Sequence, residues 1–188
     1  MEQRDRFEGR FDAVLASARD GEPRALAEIF TTLSPLVAGY LRLQGSREPD
    51  DLTSDVFVGV LRNLGSFTGD ESDFRSWLFT IAHRRLLDER RRLARRPVPE
   101  PLDSVPEAPA LDDVEAEASR SITDERVRRL CESLVPDQRD VLLLRLLGGL
   151  TVDEVAATLG KTSGAVKALQ RRGYGALSRR LQHEGVPL

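Results

Sequence analysis

The sequence contains few of the residues from which disulfide scaffolds and metal centres are built. Its 188 residues include one cysteine, Cys131, and two histidines, His83 and His183. One thiol cannot form an internal disulfide, and this set is too small for the ligands of a structural zinc site. We find no Ser/His/Asp set, no phosphate-binding glycine loop and no paired acid/base carboxylates. We therefore predict no metal, no cofactor and no catalytic residues.

Long apolar runs are also absent. The longest apolar stretch, from Val141 to Leu150, is interrupted by Arg145 and is well short of the roughly 20 residues of a membrane span. The first six residues, MEQRDR, alternate in charge, whereas a secretory signal would be basic and then apolar. We therefore expect a cytoplasmic protein without membrane insertion.

The charge is distributed unevenly along the chain, although the formal net charge is only −3. Residues 97–121 contain one Arg and seven acidic residues, with prolines at 97, 99, 101, 106 and 109. Such a segment has no apolar period and is typical of an extended linker. It divides the chain into an N-terminal block, residues 10–96, and a C-terminal block, residues 122–182.

Both blocks show the apolar spacing of amphipathic helices. In the first block the pattern recurs in four stretches, within residues 11–18, 26–41, 52–64 and 74–86. In the second block it predicts helices around residues 127–134, 141–147, 151–159 and 163–181. Since no segment alternates with the period of a strand, the predicted fold class is all-α, with two small helical domains joined by the acidic, proline-rich linker.

The C-terminal block has the spacing of a helix-turn-helix. Ala156 provides a small residue where two helices touch, Gly160 can adopt positive φ in the turn, and Val166 anchors the second helix. An ordinary helical hairpin is the alternative. On the second helix Lys167, Gln170 and Arg171 are the candidate base readers and Arg172 a candidate phosphate contact, whereas Arg179 and Arg180 suit a solvated face. Thr162 and Ser163, in the turn before this helix, are included in the candidate DNA-binding set.

Several motifs then occur in one order along the chain. They are Asp51-Leu52-x-x-Asp55-Val56-Phe57, Phe74-Arg75-x-Trp77-Leu78-x-x-Ile81-Ala82, Leu134-x-Pro136-x-Gln138-Arg139 and Gly149-Leu150-Thr151-x-x-Glu154-Val155-Ala156. Together they resemble a bacterial RNA polymerase sigma factor of the extracytoplasmic-function (ECF, group four, sigma-70 superfamily) type, over residues 25–95 and 122–182. The resemblance implies a transcription initiation factor that binds core RNA polymerase, directs it to promoters, recognises the −35 and −10 elements and aids promoter melting.

The resemblance assigns polymerase binding to the helix with the first motif, which in such factors docks on a coiled coil of the β′ subunit. The residues concerned are Asp51, Leu52, Asp55, Val56 and Phe57. Acidic residues beside an apolar ridge suit a basic partner helix. The alternative is that Leu52, Val56 and Phe57 simply belong to the core.

The resemblance assigns −10 DNA to the helix with the second motif and −35 DNA to the helix-turn-helix. The −10 candidates are Phe74, Arg75, Trp77, His83, Arg84 and Arg91; single-stranded bases bind to aromatic faces and cations. Trp77 is also spaced as a core residue. Arg84 stands where the family often has Asn, so the −10 preference of relatives does not transfer directly.

The partners implied by the resemblance are the β′ and β subunits of core polymerase, promoter DNA and an anti-sigma factor. In the family the linker threads through the polymerase toward the RNA exit path, where its carboxylates can imitate RNA; a plain tether is the alternative. A stand-alone helix-turn-helix regulator with a helical sensor domain remains the rival function, with an enzyme third.

Overall fold

The computed structural model describes residues 6–95 and 125–183, and over these ranges it contains helices and no strands. The first block forms α1 (Phe11–Arg19), α2 (Pro23–Leu43), α3 (Pro49–Asn63), a 3₁₀ turn (Leu64–Ser66) and α4 (Glu71–Arg95). The second forms α5 (125–132), α6 (Pro136–Leu146), α7 (Val152–Leu159) and α8 (Ser163–His183). The predicted all-α class is confirmed. The linker, residues 97–121, lies outside the described ranges, and the three domain boundaries stay predictions.

Local sequence signals fix where the helices of the second block begin and end. Thr151 caps α7 through a reciprocal capping box: its hydroxyl accepts from the Glu154 amide at 3.3 Å, and the Glu154 carboxylate accepts from the Thr151 amide. Gly160 ends α7 with φ 62° and ψ 34°, a left-handed conformation that glycine adopts without steric cost. Ala156 and Val166 are buried on either side of this turn. The predicted helix-turn-helix is therefore present.

An aromatic ladder joins α1 to α4 in the first block. Phe7 meets Phe11 at 5.3 Å between ring centroids, and Phe11 meets Phe74 at 5.4 Å. Phe74 in turn contacts Phe67 at 5.2 Å and Trp77 at 5.7 Å. Since aromatic pairs add to the stabilisation that burial gives, the ladder fixes α1 and the 64–70 segment against α4.

The two blocks pack on one another, with α7 against α4 and α6 against α2. The buried apolar residues of both blocks form one continuous cluster. Gly148 permits a close approach, because a β-carbon there would lie 3.3 Å from the ring of Phe79, as well as 2.7 Å from the Leu144 carbonyl. Sequence periodicity identified the helices of each block but contained no sign of this shared core.

Candidate nucleic-acid and polymerase interfaces

The outer face of α8 combines exposed cations with a buried inner face. Val166 and Leu169 pack inward, whereas Lys167, Arg171 and Arg172 are exposed and Gln170 is half-buried. Within the described ranges no carboxylate pairs with Lys167, Arg171 or Arg172. The prediction that these side chains face away from the core is confirmed, and their contacts with phosphates and base edges stay a prediction.

The two residues that open α8 have structural contacts of their own. The Thr162 hydroxyl accepts from the Ala165 amide at 3.2 Å and so caps the helix, while the Ser163 hydroxyl donates to the Asp153 carboxylate of α7. Lys161, in the turn, pairs with Asp137 of α6 at 3.0 Å. These contacts fix the angle at which α8 leaves the turn.

The acidic motif of α3 divides between solvent and core. Asp51 and Asp55 are exposed and Leu52 is half-buried; together they line a groove that also contains Arg85 and Arg92 of α4. Val56 and Phe57 are buried, at 0% and 3% exposed. These two side chains were predicted to contact polymerase, but in this structure they face the core and are not on the surface.

A second groove, which we call the aromatic groove, opens between the 3₁₀ turn and α4, with a volume of about 780 Å³. Phe67 and Trp77 form one wall and stack with centroids 5.2 Å apart and planes at 21°. The other lining residues are mostly polar, with one cation: Asn63, Ser66, Thr68, Asp73, Ser76, Thr80, Ile81 and Arg84. Aromatic faces beside hydroxyls and a guanidinium can hold a flat, hydrogen-bonding ligand such as an unstacked base.

The predicted −10 residues are thus partly on this surface and partly inside the fold. Trp77 is half-buried and Arg84 is exposed. Arg91 is exposed and pairs with Asp88 at 3.0 Å. Phe74, Arg75 and His83 are at most 6% exposed, so in this conformation they do not face DNA.

Each of these three buried residues makes specific contacts within the fold. Phe74 is the centre of the aromatic ladder, with contacts to Phe11, Phe67 and Trp77. Arg75 pairs with Glu71 at 3.0 Å and lies beneath Gly149 of the second block. His83 shares a hydrogen bond of 2.9 Å with the Tyr40 hydroxyl.

Burial also controls the protonation of His83. Loss of solvent lowers the pKa of His83; Asp140 opposes this shift and Arg90 adds to it. Desolvation likewise raises the pKa of Tyr40 far above its ordinary value. The pair is therefore neutral at physiological pH.

A polar network crosses between the blocks next to this pair. The Gln44 amide donates to Asp140 at 2.7 Å, and Arg90 donates to the backbone oxygen of Gln44 at 2.8 Å. Two further contacts join α4 to α7: the Ser72 hydroxyl to Glu154 at 3.1 Å, and the hydroxyls of Thr80 and Thr158 at 2.9 Å. Because Thr80 also lines the aromatic groove, α7 contacts one of the residues of that groove.

Several of these residues have no signal in the sequence. Phe67 and Thr68 lie in a stretch, Gly65 to Asp70, that predicts only a turn. Gln44 and Asp140 are 96 positions apart, beyond the reach of any periodicity argument. Among the described residues no group of His, Cys, Asp or Glu is arranged to hold a metal ion.

Comparison with protein families gives two matches in chain order. The model of sigma-70 region 2 matches residues 29–96, and that of sigma-70 region 4 matches residues 124–177. The ECF RNA polymerase sigma factor BldN of Streptomyces coelicolor is 34% identical over 184 residues, which are 94% of this chain and 68% of BldN. The chain belongs to the ECF sigma factor family. It is a transcription initiation factor, whose role is to bind core RNA polymerase and direct it to promoters.

Other ECF sigma factors match with similar coverage. SigD of Mycobacterium tuberculosis is 34% identical over 172 residues, 87% of this chain and 80% of SigD. ShbA of Streptomyces griseus is 31% identical over 179 residues, 89% of this chain and 91% of ShbA. Sigma factors as a family are not enzymes.

Among solved structures, CnrH in complex with the cytosolic domain of CnrY is similar to this ECF sigma factor. The TM-score is 0.64 at 26% identity, with 92% of this chain and 97% of CnrH covered. Over the described ranges, no helix has both the length and the apolar character needed to cross a membrane.

Proposed function

We propose that this sigma factor reads the two promoter elements with two separate surfaces, one on each block. The aromatic groove beside Arg84 takes an unstacked base of the −10 element, and the cationic face of α8 reads the −35 element. The observation that carries the proposal is the stacked pair of Phe67 and Trp77 at the wall of an open groove. Stacking accepts any base and holds it in the groove, where the hydroxyls and the guanidinium supply preference among bases. A base that is no longer held by the stack is therefore no longer read.

The α8 surface suits duplex DNA rather than a single strand. Lys167 and Arg171 lie on the exposed face of the helix, with Gln170 half-buried beside them, at the part of a recognition helix that meets base edges in the major groove. In this proposal the exposed Arg172 contacts a phosphate. Thr162 and Ser163 support this surface by capping and by the contact with Asp153.

Core polymerase binds the acidic side of α3 in this proposal. Asp51 and Asp55 are exposed beside the half-buried Leu52, which gives a basic helix both charge and apolar contact. Val56 and Phe57 support this surface from below, through the core.

The packed arrangement of the two blocks has to open before promoter binding. The −35 and −10 elements are roughly 25 base pairs apart, or about 85 Å at 3.4 Å per base pair. A compact chain of this length has a radius of gyration of about 16 Å and is therefore about 40 Å across. With α7 packed on α4, the two surfaces cannot reach both elements at once. The linker, extended to roughly 75 Å at 3.1 Å per residue, would allow the separation.

The remaining parts of the proposal concern partners and place of action. The similar factor CnrH was solved with the cytosolic domain of CnrY, and this supports a regulatory protein partner, an anti-sigma factor, for this chain. The chain itself catalyses no reaction and acts in the cytoplasm, where RNA polymerase is.

A promoter selection by the holoenzyme tests whether the aromatic groove reads the −10 element and α8 reads the −35 element. Core polymerase with this sigma factor is presented with a DNA library randomised across both promoter elements, and the bound sequences are read. We expect Trp77→Ala to lose base preference in the −10 window only and Arg171→Ala to lose it in the −35 window only. Phe30→Ala, an exposed aromatic on α2, is the matched control and keeps both preferences.

Two results would contradict the proposal. One is that both variants retain both preferences, or that each loses the opposite window. The other is tight, selective binding of the library duplex by the sigma factor without core polymerase, which would favour the stand-alone regulator.

A further inference from the structure

We propose that Arg19, at the end of α1, is a positioning residue that holds the wall of the aromatic groove in place. Its Nε donates to the backbone oxygen of Leu64 at 3.4 Å, and its Nη2 donates to the backbone oxygen of Phe67. Both acceptors are more than 40 positions away in sequence and belong to the segment that carries Phe67. Arg19 itself does not line the groove.

A guanidinium is well matched to these two acceptors. Leu64 follows directly after α3 and opens the 3₁₀ turn that extends it, and its carbonyl also accepts from the Phe67 amide at 3.2 Å. The helix dipole is negative at this end, and a carbonyl oxygen has a second lone pair that can accept from a guanidinium. A planar group with several fixed donors can bind two such carbonyls at once, which a lysine ammonium on a flexible stem does less well.

The carbonyl of Phe67 matters because of its side chain. Phe67 stacks on Trp77 and meets the edge of Phe74 at 5.2 Å, while the next residue, Thr68, also lines the groove. Phe67 is 9% exposed and packs against the half-buried Trp77. Fixing the backbone at residue 67 therefore fixes the position of Trp77, the aromatic face on which a base would stack.

The helix that carries Arg19 is packed into the core. Val14, Leu15 and Ala18 of α1 are buried, and Phe11 joins the aromatic ladder at Phe74. The guanidinium consequently extends from a helix held against α4, the same helix that carries Trp77. Preorganised placement of this kind is what keeps a binding site selective.

The inference rests on the proposed −10 function of the groove, and its test separates the two. A promoter from the wild-type selection is made as a fork junction with single-stranded −10 bases, one of them replaced by the fluorescent base 2-aminopurine. Holoenzymes with wild-type sigma, Arg19→Ala, Arg19→Lys and Trp77→Ala are titrated. We expect about tenfold weaker binding of this probe for Arg19→Ala, a smaller loss for Arg19→Lys, and unchanged binding of a −35 duplex probe.

Arg10→Ala is the matched control, since Arg10 is an exposed arginine beside α1 that pairs with Glu28 rather than with the groove segment; it keeps wild-type affinity. The salt dependence of binding distinguishes positioning from direct contact. Arg19→Ala should retain the wild-type slope of log K against log salt, because no phosphate contact is lost.

Four results would overturn the inference. The first is wild-type affinity of Arg19→Ala for the fork-junction probe while Trp77→Ala is impaired. The second is a salt slope of Arg19→Ala reduced by about one unit, which would mean a lost phosphate contact. The third is an equal loss of affinity in Arg10→Ala, and the fourth is equal weakening of Arg19→Ala on the −35 duplex probe. Wild-type behaviour of Trp77→Ala would instead remove the proposed −10 function, and the inference with it.

Discussion

His83 and Arg84 are neighbours on α4, yet only Arg84 reaches solvent. The difference follows from the helical turn of about 100° per residue, which directs one side chain toward Tyr40 and the next toward the groove. At this scale the sequence predicted which cations of α8 face away from the core, and Lys167, Arg171 and Arg172 are exposed. It could not separate Arg84 from Arg75, because an Arg buried against Glu71 and the second block has the same local pattern as an exposed one.

The protonation of His83 gives a testable prediction. Its pKa is lower in the folded protein than the ordinary value of about 6.5, so below that pH the unfolded chain binds a proton that the folded chain excludes. The free energy of unfolding contributed by His83 is therefore fully present above pH 6.5 and declines as the pH falls. We expect chemical denaturation of the wild type to show lower stability at pH 5.5 than at pH 7.5.

His83→Gln removes the titration while keeping a polar side chain that can bond to Tyr40, so the difference between the two pH values should shrink. His183→Gln, at the exposed end of α8, should leave the difference as in the wild type. An unchanged pH difference in His83→Gln would show that other groups are responsible.

At the scale of single elements, α3 shows how one helix serves two surfaces. Its buried side includes Val56, Phe57 and Val60, and its exposed side carries Asp51 and Asp55. The alternation of apolar and polar positions predicted the helix and its core side. Periodicity also predicted the remaining helices, and the prediction of positive φ at Gly160 is confirmed, because turn geometry is a local property.

The acidic side of α3 gives a second prediction. Asp51→Lys combined with Asp55→Lys should weaken binding of core polymerase at least tenfold, because it replaces attraction by repulsion at a charged interface. Circular dichroism should remain helical, since exposed acids contribute little to folding.

Asp50→Lys is the control on the same helix, because Asp50 is also exposed in the first turn but faces Arg42 of α2. It should bind polymerase as the wild type does. Equal binding by the double variant and the control would place the polymerase contact on another element.

At the scale of the whole molecule, the packing of the two blocks was the feature that the sequence did not predict. It depends on contacts between distant positions, such as Gln44 with Asp140 and Ser72 with Glu154, and on the close approach at Gly148. Neither composition nor periodicity contains this information. The arrangement places the first helix of the helix-turn-helix against α4, which carries part of the aromatic groove. If the groove and α8 read the two promoter elements as we propose, a span of about 85 Å between these elements requires the blocks to separate.

A reversible disulfide between the blocks tests this account most directly. The hydroxyls of Thr80 and Thr158 are 2.9 Å apart, so Thr80→Cys with Thr158→Cys, in a Cys131→Ala background, should crosslink α4 to α7 on oxidation. The measurement is promoter binding and transcription by the holoenzyme before and after reduction, with each single-cysteine variant as a control. We predict that the oxidised protein fails to form complexes on promoters with both elements and that reduction restores them, while the single-cysteine variants do not respond. Promoter binding and transcription by the oxidised protein equal to those of its reduced form would contradict the claim that the two blocks must separate.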